Sequence, residues 1–169
     1  MRGSVEVHRY LVERAIPHEF YRLEHPLRRV VDAPAVLDLD PEIVVGAELF
    51  EVAGGPVLAV TPASACASTD AIASVTGHRR VRPIAKARVT TYTGFIADWL
   101  PPVGHERPSR ALIDGSLLDV DVLYAAGGDP GVMLIMRSVD LLRATAATPT
   151  SLAVAPESVA ISDAVASAG

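Results

Sequence analysis

Apolar residues at Val7, Tyr10, Leu11 and Ala15 recur at the spacing of one helix face, and Ser4 precedes them as a capping residue. The pattern predicts a first helix over VEVHRYLVERA. Beyond Pro17, HEFYRLEH sets Phe20 and Arg22 against Tyr21 and Leu23 in strand-like alternation, which His25 and Pro26 end. RRVVDAPAVLDL predicts a second helix begun or interrupted near Pro34, because proline fits only a first helical turn. PEIVVGAELFEV and GGPVLAVTP predict two strands of a hairpin turning at Ala53, Gly54 and Gly55. ASTDAIASVTGH predicts a helix ended by Gly77, RRVRPI a strand, and KARVTTYTG a helix that Gly94 stops.

Farther along, strands are expected at Ala111 to Asp114, Val122 to Ala126 and Val132 to Met136, the last two joined by a GGDPG turn. Ser138 then stands as the cap of a final helix, VDLLRAT. From Ala146 to Gly169 the residues are small and without period, so a flexible tail is expected there. Hairpins interspersed with helices, rather than strict strand–helix alternation, indicate an α+β fold. A chain of 169 residues, half of them hydrophobic, suits a single domain with one sizeable core.

The charged start MRGSVEVHRYLVER has neither the apolar run of a signal peptide nor that of a membrane span, so a cytoplasmic protein without membrane contact is expected. Cys66 is the only cysteine, which excludes an internal disulfide and a cysteine-built zinc site and suggests a buried, inert thiol. A net charge of -5 argues against a broad grip on nucleic acid. One local exception is HRRVRPIAKAR, which gathers Arg79, Arg80, Arg82, Lys86 and Arg88; Lys86 is the sole lysine. Such a run reads either as a solvated face or as a phosphate-contacting one.

Common catalytic signatures are missing. There is no GxSxG elbow, the five histidines form no HxxxH pair that would suggest a metal site, and AAGGDPG lacks the Lys and Ser/Thr of a phosphate loop. The densest unusual stretch is TGFIADWLPPVGH, Thr93 to His105, with two glycines, paired prolines and the only tryptophan.

In order along the chain, DPEIVVGAELF, GGPVLAVTP, TGFIADWLPPVGH, RALIDGSLLDVDVLYAAGG and SVDLLRAT resemble the YbaK/ProX family of aminoacyl-tRNA deacylases, over roughly Phe20 to Thr145. The resemblance implies a YbaK-like mixed, curved β-sheet, a partial barrel with flanking helices around a small pocket, spanning residues 1–145 ahead of the tail at 146–169. It implies hydrolysis of the ester of a mischarged aminoacyl-tRNA carrying a small amino acid, with water as nucleophile and no metal or other cofactor. The implied partners are the aminoacyl-tRNA acceptor end, touched by the basic run from Arg79 to Arg88, and an aminoacyl-tRNA synthetase.

Two family features are altered. The strand lysine falls on Gly46, and the first glycine of the GxxxP loop falls on Asp98, followed by Trp99, while Pro102 and Gly104 are kept. A carboxylate at Asp98 would repel a phosphate or oxyanion, but could also act as a base or hold an α-amino group; its plainer role is to cap a turn. Trp99 could stack on the terminal adenine or simply fill the pocket mouth. The resemblance further nominates His25, Glu48, Asp114 and Gly127 as pocket residues, against a solvated histidine, a strand carboxylate, a turn cap and a hairpin glycine. Deacylation and a catalytically weakened module that binds tRNA, a nucleotide or a protein partner both remain open at this point.

Overall fold

The structure is a computed structural model and describes residues 1–156. Helix α1, Ser4–Glu13, turns Val7 and Leu11 into the core. Its cap is Gly3 rather than Ser4: Glu6 accepts from the Gly3 amide at 2.7 Å, and the Ser4 amide and hydroxyl both donate to Asp129 at 2.9 and 2.6 Å. Strand β1, Glu19–Arg22, follows, then a 3-10 turn at Val30–Asp32 and a five-residue α2, Ala33–Leu37. Pro34 thus occupies a first turn, and the second expected helix shrinks to this short piece.

β2, Val45–Val52, and β3, Gly55–Pro62, form the hairpin, paired from Val45 with Pro62 to Val52 with Gly55. β4, Cys66–Ala67, leads into α3, Thr69–Thr76, capped by the Ser68 hydroxyl and ended by Gly77 in the left-handed region. β5, Arg82–Pro83, and α4, Lys86–Thr93, come next, and Gly94 at φ +86° ends α4. β6, Arg110–Asp114, β7, Val122–Ala126, and β8, Val132–Arg137, precede α5, Ser138–Thr145. Ser138 is the first residue inside α5, with Arg137 as the cap, so the expected serine cap is displaced by one position.

The tail expected from Ala146 includes two ordered strands, β9, Thr148–Thr150, and β10, Ala153–Val154. Local periodicity could not reveal them, because each is held by distant partners: β9 runs parallel to β6, and β10 pairs with β4. Asp114 fastens this segment, accepting from the amides of Leu152 and Ala153 at 2.9 and 2.8 Å. The part of the tail beyond Pro156 lies outside the described residues.

The result is α+β, as the residue pattern indicates. The expected curved sheet is divided: β5-β2-β3-β6-β9 is a mixed five-stranded sheet, β1-β8-β7 an antiparallel three-stranded one, and β4 with β10 a small third; none closes into a barrel. An isolated parallel bridge between Val44 and Tyr124 links the two larger sheets. Strand alternation assigns the faces of the five-stranded sheet. Val45, Leu49, Leu58, Val60, Ala111 and Ile113 face the main core, while Phe50, Val52, Val57, Ala59 and Leu112 pack against Ile72 of α3 and Leu152. Among the described residues, no helix is long and apolar enough to cross a membrane.

Candidate active site

β5 covers β2 only at Phe50 and Glu51, so among the described residues the edge of β2 from Gly46 to Glu48 has no neighbouring strand. A cavity of about 580 Å3 lies against that edge. The turn at Arg29–Asp32, the start of α4 at Lys86, and the 3-10 turn Ala97–Trp99 contribute the remaining charged walls. Its volume suits a small-molecule site of about 300–1,000 Å3. Backbone parity is set by the Leu49 carbonyl, which accepts from the Ile84 amide at 2.9 Å. In an antiparallel strand, alternate residues direct both N–H and C=O to the same side, so the backbone of Ala47 faces the cavity edge.

Gly46 lines this wall. A Cβ there would meet Val31 Cγ1 at 3.4 Å and Thr61 O and Oγ1 at 3.7 and 3.9 Å, ordinary contacts. A side chain would fit, so the bare backbone widens the pocket without being demanded by the fold. Two residues on, and on the same strand face, stands Glu48. Its side chain keeps contact with solvent, yet the concave wall displaces enough water to push its carboxyl above the ordinary range. It makes no hydrogen bond or ion pair with any described residue.

Asp98 reaches the same cavity, but its charge is met. Lys86 Nζ lies 2.8 Å from Oδ1 and 3.1 Å from Oδ2. Next to this pair, Arg29 grips Asp32 through Nη2 at 2.9 Å and Nε at 3.3 Å. The Asp32 hydrogen bond chiefly holds the Arg29 guanidinium charged, and Asp98 adds a smaller attraction. Arg29 and Asp32 have no sequence signal, since they reach the pocket only because the chain turns between β1 and α2. Cys66, expected to be buried and inert, is half-buried in β4 and also lines the cavity.

Several nominated residues sit elsewhere. Trp99 is 1% exposed, packs with Leu23, Val30, Val44 and Met133, and donates from Nε1 to the Leu27 carbonyl at 3.1 Å, so it offers no face for stacking on a base. Pro102 is buried outside the cavity wall, and Gly104 at φ +81° packs on Val7 of α1. His25 is exposed in the turn after β1, away from the pocket. Asp114 is buried and serves the β9–β10 segment. Gly127 belongs to the β7–β8 turn, where an added Cβ would lie 2.8 Å from Val132.

The basic run divides in the same way. Arg79 and Arg80 are exposed on the connection from α3 to β5 and Arg82 is exposed at the start of β5, whereas Arg88 is paired with Glu51 at 3.2 Å and Lys86 faces the cavity. Among the described residues no cluster of three or more His, Cys, Asp or Glu could hold a metal ion.

The fold matches known structures closely. A protein described as a candidate trans-editing enzyme for prolyl tRNA synthetase superposes with a TM-score of 0.82 at 24% identity, over 89% of this chain and 96% of its own. A scaffold protein from computational epitope backbone grafting gives 0.80 at 25% identity, over 89% and 96%. A hypothetical protein gives 0.82 at 21% identity, over 88% and 99%. No protein of curated function matches. The model of the aminoacyl-tRNA editing domain matches residues 24–144, a stretch that contains the turn at Arg29, the uncovered edge of β2, Lys86 and Asp98. With most of its length and the whole charged rim of its pocket inside that match, the chain belongs to the aminoacyl-tRNA editing domain family.

Proposed function

We propose that this protein is a trans-editing hydrolase that removes a small amino acid from a mischarged tRNA by water attack on the ester. The observation that carries this reading is the Lys86–Asp98 pair. A bare carboxylate in place of the loop glycine would repel the acceptor-end phosphate and the developing oxyanion, and the lysine cancels that repulsion at 2.8 Å. It also returns an ammonium group to a pocket whose β2 wall has lost its side chain at Gly46. Partly exposed ion pairs contribute no more than about 1 kcal/mol to folding. A substrate phosphate can therefore draw on Lys86 while Asp98 stays paired, at little cost.

The loop from Asp98 to Pro102 keeps two backbone donors, the Asp98 and Leu100 amides. The Trp99 amide already donates to Ile96, and Pro101 and Pro102 carry no N–H. Positioning of the ester carbonyl is shared between these amides and the open edge of β2, where the Ala47 amide is a donor. A cavity of about 580 Å3 is large enough to take the terminal nucleoside together with its aminoacyl group. Arg79, Arg80 and Arg82 hold the tRNA beyond the pocket.

The test is deacylation of a panel of tRNAs charged with small amino acids. The wild-type protein is expected to accelerate loss of at least one of them over the buffer rate. Lys86→Ala should lower kcat/KM about tenfold to a hundredfold, the usual weight of a charged hydrogen bond, and leave the melting temperature nearly unchanged. Release of every aminoacyl group at the buffer rate would dismiss the hydrolase in favour of a binding module.

A further inference from the structure

Among the described residues, the pocket wall holds three carboxylates and two cations. Pairing them leaves one residue over. Asp98 is taken by Lys86 through both oxygens and Asp32 by Arg29, also through both. Glu48 has no cation, hydrogen-bond donor or ion-pair partner among the described residues. It stands two residues from Gly46 on the same strand face, so the open space left by the glycine lies directly beside its carboxylate. With both cations engaged, the pocket keeps one uncompensated negative charge when Glu48 is ionised. An incoming positive group would remove it.

We infer that Glu48 is a specificity-determining residue that receives the free α-ammonium group of the aminoacyl ester, while the Lys86 and Arg29 side faces the phosphate. The inference rests on the proposed editing function and adds to it a requirement for an unblocked amine. Asp98 could fill this role only by giving up Lys86, whereas Glu48 gives up nothing. The neighbouring Thr61 hydroxyl, within 3.9 Å of the Gly46 position, is suited to share the ammonium protons. The concave wall that takes part of the water from the Glu48 carboxylate also strengthens its attraction to a cation brought to it, so this wall favours an ammonium over a neutral amide nitrogen.

The experiment uses two non-hydrolysable probes, 3'-aminoacylamino-3'-deoxyadenosine 5'-phosphate carrying alanine with a free amine, and its N-acetyl counterpart, with binding measured by calorimetry. Wild-type protein should prefer the free amine by about tenfold or more, the weight of a charged hydrogen bond. In Glu48→Gln the preference should fall close to the steric part alone, because the acetyl group is as bulky in the variant as in the wild type. Thermal melting of the variant checks that it folds.

Equal binding of the two probes by the wild type, failure to bind either, or an undiminished preference in Glu48→Gln each overturns the inference. The hydrolysis panel decides separately on the editing activity. Amine-dependent binding without deacylation would retain the role of Glu48 and sink the hydrolase, while deacylation without amine dependence would do the reverse.

Discussion

At the scale of single residues, the charged pocket side chains differ mainly in whether they are paired. Among the described residues Glu48 is the unpaired one, and its raised carboxyl has a consequence for stability. A group whose folded pKa lies above its unfolded value contributes stability that is full below the unfolded value and lost as pH rises through the folded one. Glu48 therefore favours the fold at acid pH and strains it at neutral pH, in a window running upward from the ordinary glutamate range. Glu48→Gln removes this dependence. Melting temperatures of variant and wild type should draw together near pH 4 and separate by pH 7, with the variant the more stable. An unchanged difference across that range would contradict the desolvated carboxyl.

Single residues also show where identity misleads. Trp99 looks like a base-stacking residue in sequence, being a lone aromatic between an aspartate and two prolines. Its indole is instead the centre of an apolar cluster, with the ring N–H satisfied by Leu27. Asp98, adjacent to it, takes the opposite side of the same 3-10 turn and faces the pocket.

At the scale of elements, the strongest dependence is that of the C-terminal strands on Asp114. Burial alone would raise its carboxyl, but the Ser116 hydroxyl and the amides of Ala153, Leu152 and Ser116 outweigh that and hold it below the ordinary range. A lowered folded pKa contributes stability that is present above the unfolded value and lost as pH falls through the lowered one. Asp114→Asn should cost about 1–3 kcal/mol at neutral pH, since buried donors lose a charged acceptor. The loss should shrink toward acid pH, and hydrogen exchange should rise first in the amides of Leu152 and Ala153. Uniform exchange across the chain would argue that β9 and β10 are held by their strand partners alone.

Other elements were legible from local chemistry. The β2–β3 hairpin, α3 ended by Gly77 and α4 ended by Gly94 follow from alternation and from glycines in the left-handed region, because each is decided by neighbours a few residues away. The cap of α1 was not legible. Ser4 is a good capping residue, but Asp129 from the β7–β8 turn claims its hydroxyl, and Gly128 allows that approach: an added Cβ there would lie 2.7 Å from Gly3.

For the whole molecule, the net charge of -5 and the exposed Arg79, Arg80 and Arg82 together specify how a nucleic acid would be held. A locally basic connection on an acidic protein gives binding that is weak overall and steep in salt. Replacing the three arginines by alanine should reduce the slope of log affinity against log salt for tRNA by about 2, at roughly 0.7 per lost contact to a single strand. Catalysis at saturating substrate should stay close to wild type, since none of the three lines the cavity. A slope that does not move would place the tRNA elsewhere.

By itself the sequence determined the α+β class, most element positions, and the presence of Gly46, Glu48, Lys86 and Asp98 in one chain with the family's ordered motifs. These depend on spacing, turn chemistry and residue order, all local or ordinal properties. Tertiary structure alone decided that Lys86 meets Asp98, that Arg29 and Asp32 join the same pocket, and that Trp99 turns away from it. It also decided that Thr148–Thr150 and Ala153–Val154 form strands. The reason is that pairing and burial depend on what the folded chain brings together from distant positions, and a carboxylate is neutralised or left bare only when its neighbours in space are in place.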